Sequence, residues 1–241
     1  MNVHVVIPAY HEQDSIGRVL RRLSQEVRHP IRVTVVCDSA DDPTFRVVDE
    51  LISELPYSVQ KKENMFGRGA LNAIKTGLAG TVHGEATVVV MADGCDELAL
   101  IDAMALQIRH GSDVVCASRY MRGGRQIGGH PVKQLLAKTA SQTLHTLIGV
   151  PTHDITNSFK MYSHKLLKSV EIESLGGFEV GMELTLKAFR QGLKVCELPT
   201  VWVERRVGKS RFLLRTWLPH YARWYWFGLR SRPLHRDQTA E

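Results

Sequence analysis

The sequence predicts an α/β fold: a mostly parallel sheet flanked by helices, with a basic, aromatic and amphipathic appendage at the C-terminal end. Three observations carry this expectation. Short β-rich apolar runs alternate with amphipathic helical patterns through the first half. Two of those runs, VTVVC and TVVVM, are almost continuously hydrophobic, as strands covered on both faces are. Polar residues gather where the runs end, and the carboxyl ends of the strands are where open α/β sheets bind their ligands.

The elements follow in order. VHVVIPAY is the first strand, and an amphipathic helix over SIGRVLRRLSQEV follows with Ser15 as its N-cap. RVTVVCD is the second strand and DPTFRVVDELISEL the second helix, with Pro43 in its first turn. YSVQKKE is the third strand, GALNAIKTGLAG the third helix and ATVVVMA the fourth strand. A helix over LALIDAMALQIRHG and a strand over DVVCASRY complete an alternation whose parallel strands require right-handed crossovers. The second half is less regular. A Gly-rich loop, RGGRQIGGHP, leads into a helix over KQLLAKTASQTLHTLIG that ends at Gly149 and Pro151. THDITNSFKMYS connects to a further helix start, GGFEVGMELTLKAFRQG is another amphipathic helix, and KVCELPTVWVERR is one strand of period-two character. No repeat, low-complexity tract or linker divides the chain, which reads as one domain over 1–212 with a tail over 213–241.

With 241 residues, 44% of them hydrophobic and 23% charged, the chain buries a substantial core and is not disordered throughout. No apolar run reaches the roughly 18 residues that span a bilayer. MNVHVVIPAYHE lacks a basic region before an apolar stretch and reads as a strand rather than a signal peptide. Cys37, Cys95, Cys116 and Cys196 form no CxxC pair and read as buried thiols in a reducing cytoplasm. A net charge of +6 suits anionic partners, and Arg205, Arg206, Lys209, Arg211, Arg215, Arg223 and Arg230 crowd the end of the chain.

Pro8, Tyr10 and Glu12 follow the first strand; Asp38, Asp41 and Asp42 the second; Asp93 and Asp96 the fourth; Arg119 the fifth. Together they predict one shared cleft. Asp93 and Asp96 have two readings, as caps of the following helix or as ligands of a hard divalent cation, Mg or Mn, that bridges phosphates. Gly67, Arg68 and Gly69 in NMFGRG form either a plain turn or a backbone cradle for a phosphate or ribose. Arg119, Arg122 and Arg125 are a solvated loop or a phosphate clamp, with Lys133 as a further member. Asp154, Asn157 and Lys160 in HDITNSFK stand in the second half, with Glu183 in GMELTLK as a catalytic candidate: a general base, a need that an already ionised phosphate acceptor weakens, or a group that orients others or pairs with an Arg. His11, His145 and His153 lack metal-ligand spacing, and Gly208, Lys209 and Ser210 lack the upstream glycine of a phosphate-binding loop. The tail, FLLRTWLPHYARWYWFGLRSR, suits an interfacial helix on an anionic membrane; a helix packed on the domain is the rival, and no nucleic-acid fold precedes it.

VVIPAYHE, VVCDSADDPT, NMFGRGALNAIKTG, MADGCDE, ASRYMRGG, HDITNSFKMY, GFEVGMELTLKA and VERRVGKSR occur in the order found in inverting GT-A-type glycosyltransferases of family 2. Over roughly residues 3–212 the chain resembles dolichol-phosphate mannosyltransferases and their bacterial polyprenyl-phosphate relatives. The resemblance implies a soluble catalytic domain, peripheral at the cytoplasmic face of the membrane, that moves a sugar from a nucleotide sugar to a polyprenyl phosphate. It implies nucleotide contacts at Pro8, Tyr10 and Glu12, base and ribose contacts at Val36 and Asp38, a metal and diphosphate role for Asp93, and a place beside the phosphates for Arg119. Arg205 and Arg211 match the basic positions of an Arg-x-x-Gly-x-Ser-Lys motif that closes over the donor, with Arg211 in place of Lys. The acids depart from the family pattern: Cys37-Asp38-Ser39-Ala40 stands for Asp-Asp-Gly-Ser, and Ala92-Asp93-Gly94 for Asp-x-Asp, with the next acid at Asp96. GDP-mannose is the first donor expected, with UDP-glucose or another hexose donor as the alternative. A nucleotidyltransferase would need a Gly-rich loop with Lys where this chain has PAYHEQDS, and a donor-binding protein without turnover is the third class.

Overall fold

The computed structural model describes residues 1–204 and 214–230. Its first half alternates as predicted: β1 (Asn2–Pro8), α1 (Ile16–Glu26), β2 (Ile31–Cys37), α2 (Pro43–Leu51), β3 (Ser58–Glu63), α3 (Ala70–Ala79), β4 (Glu85–Val89), α4 (Leu100–Arg109) and β5 (Val114–Ser118). The second half forms β6 (Arg125–Ile127), α5 (Pro131–Ile148), β7 (Lys160–Ser163), α6 (His164–Ser169), α7 (Val180–Arg190), β8 (Val195–Pro199), β9 (Val201–Val203) and α8 (Leu214–Arg230). Seven strands make one sheet in the order β3-β2-β1-β4-β7-β5-β8, and β6 and β9 pair in a separate two-stranded sheet.

Every pairing in the main sheet is parallel except those of β7, which runs antiparallel between β4 and β5. The strands that the sequence marks as apolar throughout are buried throughout. Val3, Val5 and Ile7 pack with Val19, Leu20 and Leu23 of α1 and Ile101 and Met104 of α4. On the opposite face, Val89 and Val114 meet Leu71, Ile74 and Leu78 of α3 and Val180 and Leu184 of α7. Each such aliphatic side chain contributes about 1.5–3 kcal/mol by leaving water, so both helical layers are held by the sheet. This stacking gathers the carboxyl ends of β1, β2, β4 and β5 at one edge.

Two expectations are corrected. The segment read as a connection, FKMYS, is the strand β7; its Lys160 is fully buried, which hid the strand from a hydrophobic pattern. The segment read as one strand, KVCELPTVWVERR, breaks at Thr200, with β8 in the main sheet and β9 paired to β6 inside the Gly-rich loop. Ser15 occupies the N-cap position of α1 as expected, but its hydroxyl makes no capping bond and donates to Glu12 Oε2 at 2.8 Å instead. Of the two readings of the tail, packing on the domain is realised in α8: Trp224 is buried with Leu144, Val150, Ile155, Met182 and Leu186, between α5 and α7. The boundary expected between 212 and 213 lies outside the described residues.

Candidate active site at the carboxyl ends of the strands

The chain leaves β4 through Val90, whose amide donates to Val6 O at 3.0 Å, and then turns through the acids. Asp93 Oδ1 accepts from Cys95 N at 3.0 Å, and Asp96 Oδ2 accepts from Met91 N at 3.0 Å. Helix α4 begins at Leu100 with Ala99 as its N-cap and no side-chain capping bond, so neither aspartate is a helix cap. From behind, Arg22 donates to Gly94 O at 2.9 Å and Asp96 O at 3.1 Å, fixing the turn through its carbonyls rather than its carboxylates. Asp96 is only 4% exposed. Burial, and then the charge of Asp93, push its carboxyl up to about 7. Their carboxylates are hard oxygen donors of the kind that a divalent cation takes. Among the described residues no third acid, His or Cys completes a metal site, so phosphate oxygens and water would supply the other ligands.

At the end of β1, Pro8 and Ala9 are buried and Ala9 N donates to Val36 O at 2.9 Å. Tyr10 is exposed, its ring edge-on to His11 with centroids 4.4 Å apart. Glu12 N donates to Thr44 Oγ1 at 2.9 Å. Asp42 caps α2 through Thr44 N at 2.9 Å and also accepts from His11 N at 3.1 Å. Burial opposes its ionisation, but the hydrogen bonds from Thr44 and His11 prevail and hold its carboxyl below the ordinary value. Val36 is wholly buried inside β2, so any contact it makes with a ligand is through its backbone.

Asp38 accepts from Asn64 Nδ2 at 3.0 Å and from Gly69 N at 2.9 Å. It thereby ties β2 to the loop before α3, where Gly67 and Gly69 adopt φ of 97° and 105° and Arg68 is exposed. The glycine loop is thus neither a plain turn nor a complete backbone cradle, since the Gly69 amide is already given to Asp38.

Arg119 follows β5. Its guanidinium is 12% exposed and meets Asp154, which is fully buried, through Nε to Oδ2 at 2.6 Å and Nη2 to Oδ1 at 2.9 Å; its own amide adds a third bond to Oδ2 at 3.0 Å. Burial works against the guanidinium, but the charge of Asp154 outweighs it and raises the pKa above the ordinary arginine value. Lys160 Nζ donates to Ile155 O and Asn157 O, both at 2.7 Å, bracing the turn that presents Asp154. Burial, foremost, lowers its pKa.

Glu183 is engaged by its own neighbours. It is fully buried on α7, accepts from Glu173 N at 2.6 Å and Ser174 N at 2.9 Å, and pairs with Lys187 at 2.8 Å rather than with an arginine. Those three donors occupy both oxygens in a structural anchor. His145 and His153 do face one another, ring centroids 3.9 Å apart, each bonded locally to Val150 O and Glu197. Arg205 and Arg211 lie outside the described residues. Sequence reasoning assigned no role to Glu97 or Thr200, which join the acidic turn to the β8–β9 junction through Glu97 Oε2 and Thr200 Oγ1 at 3.1 Å. The signal available was Pro199-Thr200, which interrupts the period-two run.

Residues 4–170, well over half of the chain, match the family described as Glycosyl transferase family 2. The chain is 28% identical to a polyprenol monophosphomannose synthase from Mycolicibacterium smegmatis, over 86% of this chain and 79% of that protein. It is 26% identical to an undecaprenyl-phosphate mannosyltransferase from Micrococcus luteus, over 96% of this chain and 99% of that protein. Among solved structures, glucosyl-3-phosphoglycerate synthase from Mycobacterium tuberculosis, in complex with Mn2+, UDP and glucosyl-3-phosphoglycerate, matches with a TM-score of 0.64 at 20% identity. That match covers 98% of this chain and 81% of the other, and it shows the fold, the GT-A arrangement.

Proposed function

The chain belongs to glycosyl transferase family 2, and from that premise we propose that it moves mannose from GDP-mannose to a polyprenyl phosphate, with inversion at the anomeric carbon. The observation that carries this reading is the likeness, across 86% and 96% of the chain, to two proteins named for mannosyl transfer to polyprenyl phosphates. The strand-end edge has chemistry to match.

Asp93 and Asp96 would hold a divalent cation, Mg or Mn, and the Mn2+ in the complex of similar fold supports this. Such a cation, when bound, neutralises the diphosphate of the leaving nucleotide. Tyr10, Glu12 and Asp38, with the Gly67–Gly69 loop, flank the nucleotide. Arg205 and Arg211 close over its diphosphate, as the resemblance implies. Arg119, fixed on Asp154, anchors the start of the loop after β5, and Arg122 and Arg125 in that loop receive the acceptor phosphate. One acceptor oxygen bonds to the anomeric carbon as the bond from that carbon to the diphosphate breaks, its electron pair departing with GDP. A phosphate monoester, with a second pKa of about 6, is already ionised near neutral pH and needs no general base. The anchored Glu183 is consistent with that.

The acceptor's lipid requires contact with a bilayer. Among the described residues no helix is long and apolar enough to cross one. On α5, Val132, Leu135 (66% exposed), Leu136 and Leu147 (72% exposed) share one side, opposite the buried Ser141 and Leu144. Leu218 and Trp226 of α8 are exposed as well. With Arg122, Arg125 and Lys138 also exposed nearby in sequence, these residues support peripheral docking on an anionic cytoplasmic leaflet.

The test is incubation with polyprenyl phosphate and a panel of labelled nucleotide sugars, with and without Mn2+. Label entering the organic phase from GDP-mannose alone is expected. Transfer from UDP-glucose would replace the donor, and donor binding without any transfer would replace the enzyme reading with a binding protein.

A further inference from the structure

Thr200 is 2% exposed, and each of its polar groups is engaged. Its amide donates to Ser118 O at 3.0 Å, its carbonyl accepts from Arg125 N at 2.9 Å, and its hydroxyl donates to Glu97 Oε2 at 3.1 Å. The same Glu97 oxygen accepts from Val201 N at 2.8 Å. Three loops from three strand ends meet at this point. Glu97 closes the acidic turn that starts at Asp93, Ser118 immediately precedes Arg119, and Arg125 belongs to the Gly-rich loop. The main sheet also breaks here: β8 pairs with β5 up to Pro199, and beyond Thr200 the chain pairs with β6 instead. Glu204 repeats the device, its amide donating to Ile127 O at 2.9 Å and its carboxylate accepting from Gly129 N at 2.8 Å.

A neutral side chain could also bridge these loops. What a carboxylate adds is a charge-assisted, shorter bond to a backbone N–H. We propose that Glu97 and Thr200 are positioning residues that fix the distance between the carboxylates of the acidic turn and the arginines of the acceptor loop. This rests on the reading above, in which the first group serves the donor diphosphate and the second the acceptor phosphate. Transfer in line demands that the two phosphates approach in one geometry, and a misplacement of about 1 Å costs on the order of 100-fold in rate. A single node bonded to both loops holds that spacing; separate loops would each wander.

The test uses the full chain and the variants Glu97→Ala, Glu97→Gln and Thr200→Val. Hydrogen exchange is read, without substrate, in peptides covering 117–131 and 199–204. Initial rates are then measured over both substrates. Glu97→Ala and Thr200→Val are expected to speed exchange in both segments together by about tenfold, and to lower kcat by about tenfold or more while each KM stays within about threefold. Glu97→Gln keeps an oxygen that accepts from Val201 N but loses the charge, and is expected to fall between the wild type and Glu97→Ala in both exchange and rate. Faster exchange in 199–204 alone, or unchanged kcat with both segments loosened, would reduce the node to a structural stitch and overturn the proposal. Should the wild-type chain transfer no sugar, the proposed function fails, while the substrate-free exchange still decides whether the loops are coupled.

Discussion

Arg119 and Asp154, 35 residues apart in sequence, form a buried two-point ion pair with Nε to Oδ2 at 2.6 Å and Nη2 to Oδ1 at 2.9 Å. Removing one partner strands the other. Asp154→Asn is expected to destabilise the fold by about 3–5 kcal/mol, the usual effect of breaking a buried pair, as read by urea denaturation. Arg119→Lys keeps the charge but cannot match both oxygens, so its transfer rate is expected to fall although its charge is retained. A wild-type rate in Arg119→Lys would mean that the planar guanidinium contributes nothing at this position.

Gly124 lies flat against the residues that precede the acceptor loop. A Cβ there would stand 2.3 Å from Ser118 O and 2.8 Å from the Arg119 carbonyl carbon, both backbone atoms. Gly124→Ala is expected to push the loop off β5, with a stability loss of about 1–3 kcal/mol and a transfer rate lowered about tenfold or more. Denaturation and initial-rate measurements check both figures.

The alternation of the first half was legible because each run buries one continuous apolar stretch against helices of period 3.6. What escaped was held by partners distant in sequence or by the backbone. Strand β7 was hidden because its buried Lys160 finds its hydrogen-bond acceptors in two loop carbonyls rather than in a visible acid. The placing of the polar residues was legible: Asp38, Asp93 and Arg119 do follow the carboxyl ends of β2, β4 and β5, strands that β1 and β7 separate within the one sheet. Their duties were not: Asp38 binds the Gly69 amide, Arg119 is bound to Asp154, and Glu183, which looked catalytic, is held by the amides of Glu173 and Ser174.

His4 makes the fold sensitive to mild acid. It is fully buried in β1, its Nε2 within 2.8 Å of Thr34 Oγ1, and burial, followed by the charge of Arg32, lowers its pKa from the ordinary 6.5 to about 4. Between those two values the unfolded chain binds a proton that the folded chain refuses. Stability is therefore fully present above about pH 6.5 and falls as the pH drops towards 4, by up to about 3 kcal/mol. Urea midpoints across this window are expected to follow that slope, and His4→Gln to flatten it. A wild-type midpoint that is level from pH 7 to 4.5 would exclude a buried neutral imidazole.

Trp224 anchors α8 in the cluster formed with Leu144, Val150, Ile155, Met182 and Leu186. Trp224→Ala is expected to destabilise by about 3–5 kcal/mol, and its effect on thermal unfolding should be cooperative with the whole domain. A separate early transition in the wild type, abolished by the variant, would instead mark the tail as an independent unit.

The most direct test of the metal and diphosphate role of Asp93 is calorimetric titration of GDP into the full chain with and without Mn2+, repeated on Asp93→Asn. The account predicts metal-dependent binding in the wild type and its loss in a variant that remains folded. Equal affinity with and without metal, in both proteins, would contradict it.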